Sequence, residues 1–112
     1  KFYLRSHGVS FREEENLNSF LPEADIIYMT RIQKERMSIE DYQKAKGRFV
    51  INKENLSLIK DSSRILHPLP HVEEINLPLE IEQTDQRVAY FRQVENGLYA
   101  RMALLYGLLT EK

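Results

Sequence analysis

Two clusters of residues carry the atom types needed to hold a small anionic molecule. In Tyr28-Met29-Thr30-Arg31-Ile32-Gln33-Lys34-Glu35-Arg36, Arg31 offers a planar fork of donors that matches a carboxylate through two parallel bonds. Gln33, two positions on, adds a neutral donor and acceptor on the same side of an extended segment. Together they suit a small dicarboxylate. Spacing alone favours a plainer use of the same residues, with Arg31 bound to Glu35 as solvated loop charges. The second cluster is His67-Pro68-Leu69-Pro70. Two prolines flanking one leucine fix much of the backbone and leave carbonyls that no helix consumes, so main-chain oxygens are free to face a ligand's amino group. A cis bond at Leu69-Pro70 or His67-Pro68 would constrain the segment further. A rigid turn that simply ends a strand uses these residues equally well.

Other chemistries find little support. His67 and His71 stand four apart, but the prolines between them exclude the helix that would bring them together, so no metal site is expected. No Ser or Thr sits in a nucleophile elbow, and none of the four glycines builds a phosphate loop. Tyr99 and Met102, among leucines at helical spacing, read as core.

The elements that must position the two clusters follow from periodicity. Lys1 to His7 resembles the tail of a helix stopping at Gly8, as in a chain cut mid-helix. Val9 to Arg12 alternates apolar and polar, as a short strand does, and Asn16 caps a helix carrying Leu17, Phe20 and Leu21. Ala24 to Thr30 contains the nearly continuous apolar run Ile26-Ile27-Tyr28-Met29, expected of a central parallel strand covered on both faces. The polar cluster begins where that strand ends, and in open α/β sheets ligands bind just beyond the carboxyl ends of strands. Ser38 with Asp41 forms a capping box opening a helix through Tyr42 and Ala45 to Gly47. Phe49 to Ile51 is a further strand, Asn52 caps a helix with Leu56, Leu58 and Ile59, and Arg64-Ile65-Leu66 is a strand running into the prolines. Ile75 to Gln83 reads as a mixed loop. From Asp85 to Lys112 the pattern is helical, divided in two at Asn96 and Gly97. Strands alternating with helices predict an α/β fold, a three-layer sandwich of helices on a parallel sheet, closed by C-terminal helices.

Composition sets the outer limits. The 112 residues fit one domain, and 42% apolar with 29% charged residues is ordinary globular composition. Sixteen basic against seventeen acidic residues leave no field to attract nucleic acid or an anionic membrane. The absence of cysteine excludes disulfides and thiolate metal sites and suits a reducing cytosol. No apolar run approaches the roughly 20 residues of a membrane span, and no secretion signal opens the chain, so a soluble protein is expected.

The motifs then resemble a known family. Asp25 to Arg36, Ile65 to Pro70, Tyr90-Phe91-Arg92-Gln93 and Asn96 to Leu105 are closely similar, in order and separation, to the second domain of aspartate carbamoyltransferase catalytic chains with its closing helices. The sister ornithine carbamoyltransferases have a Cys in the loop matching His67 to Pro70 and a Trp-containing segment matching Arg31 to Arg36; this chain has neither residue. The resemblance implies that Arg31 and Gln33 hold the carboxylates of L-aspartate. The main-chain carbonyls of Pro68 and Leu69 would contact the aspartate amine and the amide of carbamoyl phosphate. It further implies a reaction without cofactor, in which the amine attacks the carbamoyl carbon of carbamoyl phosphate and gives N-carbamoyl-L-aspartate and phosphate, a step of pyrimidine synthesis.

In that family the phosphate-binding Ser-Thr-Arg-Thr motif and the catalytic His belong to a first domain, and a further aspartate-binding Arg lies upstream of the position of Lys1. The expectation is a segment with no catalytic residue of its own, inactive alone, working in the cytoplasm within a homotrimer of longer chains. Some members of the family also bind zinc-containing regulatory chains. Met37 to Gly47 resembles the family's mobile loop, so Arg36 is expected to face an acidic residue of the first domain and Tyr42 to approach Glu73 in the open state. The sequence departs from the family at His71, where Arg is usual, and at Gln83 and Gln86, where Asp and Pro are frequent. His71 lacks the fork of donors of an Arg. A non-catalytic partner or regulatory protein would keep the core of this domain without needing Arg31 and Gln33; both are present. A generic small-molecule-binding module would not hold four motifs in register.

Overall fold

A computed structural model describes residues 1–110. Its strands are short and paired in parallel: β1 (Ile26–Tyr28) with β3 (Arg64–Leu66), and β2 (Ile51–Asn52) with β4 (Ile75–Asn76). Helix α1 (Phe2–Ser6) precedes them, and α2 (Ile39–Ala45), α3 (Lys53–Leu56), α4 (Leu79–Thr84) and α5 (Tyr90–Thr110) lie between and after them. The α/β class with parallel pairing is the one the alternation predicts. Parallel neighbours need crossover connections, and the chain supplies them with its helical segments.

Local signals explain most of the boundaries. The Asn16 side chain accepts from the Asn18 amide, but what it opens is a single 3-10 turn, Leu17–Ser19. Ser38 caps α2 by accepting from the Asp41 amide, as the capping box requires. Asn52 and Asn55 cap α3 reciprocally. Gly8 and Gly47 adopt φ of 67° and 75°, the left-handed geometry that ends α1 and the turn after α2.

Buried Leu21, Ile27, Ile51, Ile59, Ile65 and Tyr90 form the centre of the core. Ile27 and Ile65 are register partners on the same face of the β1–β3 pair. Each buried aliphatic of this size contributes roughly 1.5–3 kcal/mol relative to exposure.

Five expectations are corrected. Val9 to Arg12 forms no strand: it lacks a neighbour to pair with, and its side chains instead stack, Arg5 over the Phe11 ring and Arg12 over Phe20. β1 is covered on one face only, because Ile26 and Tyr28 are 57% and 54% exposed while Ile27 is buried. The segment read as a mixed loop carries β4 and α4; Pro78 stands at the helix start, where its missing N–H costs nothing. The residues before Tyr90 are not helical. Ala89 donates to the Ile65 carbonyl and Ile65 to the Arg87 carbonyl, so Val88 serves as a bridge partner beside β3. Finally, α5 is one helix through Asn96 and Gly97, whose low propensity costs about 1 kcal/mol or less apiece, too little to interrupt 21 residues. Glu111 and Lys112, included in the expected helix, lie outside the described residues.

α5 also departs in its packing. Leu98, Tyr99, Met102, Leu105 and Leu109 are 51–83% exposed rather than core. A compact chain of this length would have a radius of gyration near 13 Å, against the observed 17.2 Å. The excess follows from a helix roughly 31 Å long that is anchored at its first turns and projects beyond them.

Candidate functional site

The parallel register of β1 and β3 decides where the two polar clusters go. Tyr28 pairs with Leu66, and the Met29 amide donates to the Leu66 carbonyl at 2.9 Å. Arg31 stands three residues past Tyr28 and Leu69 three past Leu66, so both clusters leave the sheet at its carboxyl edge.

Past β1, the Arg31 guanidinium is closed on Glu35. Its two terminal nitrogens donate to the two carboxylate oxygens at 3.1 and 2.5 Å, the bidentate geometry that a ligand carboxylate would take. The pair is solvent-facing, with side chains 44% and 54% exposed. The hydrogen bond from Arg31, helped by its charge and that of Arg36, holds the Glu35 carboxyl down at about 2. Arg31 is raised in turn by the Glu35 hydrogen bond and charge, and from farther off by Glu74. Gln33 caps the 3-10 turn Lys34–Arg36 through its backbone, and its side chain remains exposed. A cavity of about 420 Å³ opens beside this segment. Its walls include Thr30, Arg31, Ile32 and Phe49 but neither Pro68 nor Leu69.

Past β3, the chain is fixed by buried polar groups. His67 is 1% exposed and Glu74 3%. His67 Nε2 lies 2.9 Å from Glu74 Oε1, which also accepts the Val72 amide at 3.0 Å. The Leu69 amide donates to His67 Nδ1 at 2.8 Å, and the His67 amide donates to Gln93 Oε1 at 2.9 Å. Gln93 then donates to the Tyr28 hydroxyl at 3.2 Å, tying α5 and the turn back to β1. The Leu69-Pro70 bond is cis, and Leu69 has φ of 51°. Pro68 is exposed and Leu69 half-buried.

Between the clusters, Tyr42 of α2 donates to Glu73 Oε1 at 2.8 Å, and Lys46 Nζ is 3.6 Å from Glu73 Oε2. Glu73 and Glu74 therefore face opposite ways, one toward α2 and one into the core. Lys34 sits over the Tyr42 ring at 5.4 Å. Arg36 ends the 3-10 turn and is exposed.

His71 pairs with a carboxylate of α4. Its Nε2 is 3.0 Å from Glu82 Oε1, which also accepts the Tyr90 hydroxyl at 2.6 Å. Burial, then that hydrogen bond, pushes the Tyr90 hydroxyl above the usual tyrosine range. The His67 and His71 rings meet edge-on at 6.2 Å without a helix, because the turn doubles back.

Sequence reasoning passed over Glu74 and Gln93, which hold the proline turn. A signal existed for the first: in Val72-Glu73-Glu74-Ile75, one of two adjacent carboxylates before a strand must point inward.

A family model for the Asp/Orn binding domain of aspartate/ornithine carbamoyltransferase matches residues 1–108. The chain belongs to this family. Several similar proteins are aspartate carbamoyltransferases. An aspartate carbamoyltransferase catalytic subunit of Clostridium botulinum is 45% identical over 107 residues, covering 95% of this chain and 34% of its own. The catalytic subunit of M. jannaschii aspartate transcarbamoylase superposes with a TM-score of 0.83 at 33% identity, over 99% of this chain and 36% of that one. The Trypanosoma cruzi aspartate transcarbamoylase, in complex with carbamoyl phosphate and aspartate, superposes with a TM-score of 0.75 at 29% identity, over 94% and 32%. The chain thus spans about a third of the length of these relatives. No helix among the described residues is long and apolar enough to cross a membrane.

Proposed function

We propose that this chain is the L-aspartate-binding part of an aspartate carbamoyltransferase catalytic chain acting in cytoplasmic pyrimidine synthesis. The observation that carries the reading is the fork of Arg31, already closed on a carboxylate in bidentate geometry at the carboxyl edge of the β1–β3 pair.

In this reading a carboxylate of aspartate takes the place of Glu35 on Arg31, and Gln33 adds a neutral hydrogen bond. The carbonyls of Pro68 and Leu69 accept from the substrate amine and from the amide of carbamoyl phosphate. Attack of the amine nitrogen on the carbamoyl carbon forms the C–N bond. The bond from that carbon to the phosphate oxygen breaks, phosphate leaves with the electron pair, and the nitrogen's surplus proton passes to the departing phosphate. Holding two anions together is the main catalytic task, and it needs positive charge beside them. Arg31 supplies one such charge; the remainder comes from the rest of a longer chain, so the segment alone is inactive. Closure of the two halves over the substrates would draw on Arg36, on Tyr42 and on its partner Glu73, with the α2 loop moving. The longer chains form homotrimers, and a zinc-containing regulatory chain is a candidate further partner.

The test is Arg31→Ala in the complete catalytic chain. The aspartate concentration for half-saturation should rise at least about 30-fold, the scale of a lost bidentate charge contact, with carbamoyl phosphate binding little changed. Normal aspartate kinetics in that variant would remove Arg31 from the site.

A further inference from the structure

We infer that His67 and Glu74 are positioning residues: through the tautomer of one buried imidazole they aim the Pro68 carbonyl out of the protein. The inference rests on the reading of the proline turn as a substrate contact and assigns the groups that make it one.

A backbone N–H can only donate, so the Leu69 amide at 2.8 Å from His67 Nδ1 requires that nitrogen to be bare. The ring proton is then on Nε2, and Glu74 Oε1 receives it at 2.9 Å. The carboxylate thus selects the tautomer, as a buried acceptor on one imidazole nitrogen does. The other consequence is directional. In a trans peptide the N–H and C=O point opposite ways, so drawing the Leu69 N–H inward onto the ring turns the Pro68 C=O outward. Leu69 sits at φ of 51°, a left-handed conformation that is strained for an L residue, and the hydrogen bond from its amide to His67 helps hold it there. The pair is closed off from water, at 1% and 3% exposure, and the His67 amide is pinned separately by Gln93.

Asparagine at position 67 would place its Oδ1 near where Nδ1 now lies, accepting from the amide two residues on in an Asx turn, while losing Nε2. Leucine would lose both. Three measurements test the assignment. Nitrogen-15 NMR of the complete catalytic chain, labelled at histidine and leucine, should show His67 protonated at Nε2 alone and the Leu69 amide slow to exchange. In Glu74→Leu the tautomers should mix and that amide should exchange at least about 10-fold faster. In the complete catalytic chain, His67→Leu should raise the half-saturating aspartate concentration about 10-fold or more, and His67→Asn should restore it to within about threefold. A purely structural role would be injured equally by both substitutions. Equal effects of the two, or an Nδ1-protonated ring in the unsubstituted chain, would overturn the inference. Should Glu74→Leu not fold, the His67 pair decides alone. If Arg31→Ala leaves aspartate kinetics normal while the His67 results hold, Arg31 is removed from the site and the positioning of the carbonyl stands.

Discussion

The segments leaving β1 and β3 at the same edge are held by opposite means. Past β3 the turn is fixed by His67, Glu74 and Gln93, with the histidine and the glutamate almost wholly buried. Past β1 the Arg31–Glu35 pair lies in solvent, and among the described residues the fork to Glu35 is what holds the Arg31 side chain. Desolvated hydrogen bonds are costly to break because no water replaces the lost partner, whereas an exposed pair exchanges one set of partners for another almost freely. The difference suits their contributions. Main-chain carbonyls cannot change rotamer and must be aimed by the fold, while a guanidinium that is to release one carboxylate and take another has to stay mobile. Tyr42 and Glu73 join the two regimes, since Glu73 is the immediate neighbour of Glu74 and reaches out to α2.

Substitutions can break this contrast at different levels. The largest effect is expected where both segments share support. Ile65→Ala empties a fully buried position between β1 and the Val88 bridge. It should cost about 3–4 kcal/mol in denaturant unfolding and loosen both segments at once. Next is Arg87, which binds Asp85 at 2.6 Å and caps the end of α3 through the Leu56 and Ile59 carbonyls. Arg87→Met should cost about 2–3 kcal/mol while leaving the Arg31–Glu35 pair intact, as seen by the Glu35 carboxyl resonance.

Acid sharpens the comparison further. Arg87 holds the Asp85 carboxyl below its ordinary range, chiefly by hydrogen bonding. A carboxyl lowered on folding stabilises the fold above its unfolded value, near pH 4, and that contribution fades as pH falls through the lowered folded value. In Arg87→Met this portion of the acid dependence should vanish from unfolding curves. Glu35 obeys the same sign: its titration should centre at about 2 and rise toward the usual carboxylate range in Arg31→Ala, which removes its largest lowering cause. A normal Glu35 titration in the unsubstituted chain would mean that Arg31 is not closed on it in solution. The smallest effect belongs to Tyr42→Phe, which removes one hydrogen bond at the loop. Proteolytic cutting between Met37 and Gly47 should quicken by about 2- to 10-fold, with global unfolding unchanged.

What the sequence determined was local or carried by side-chain type. The Ile-Ile-Tyr-Met and Arg-Ile-Leu runs, the Ser38 and Asn52 caps, and Arg31 with Glu35 four residues on all depend on neighbours within a turn or a strand, so pattern suffices to find them. What the tertiary structure decided involves partners distant in the chain. Val88 and Ala89 carry a helical-looking spacing yet pair with Ile65, because the edge of β3 offers unsatisfied backbone groups at that point. β1 reads as fully covered yet has one open face, and α5 reads as core yet projects, because burial is set by what packs against a surface and not by its apolar character alone. The inward turn of Glu74 onto His67, and with it the outward turn of the Pro68 carbonyl, needed the fold to bring residues seven apart around two prolines into one dry pocket.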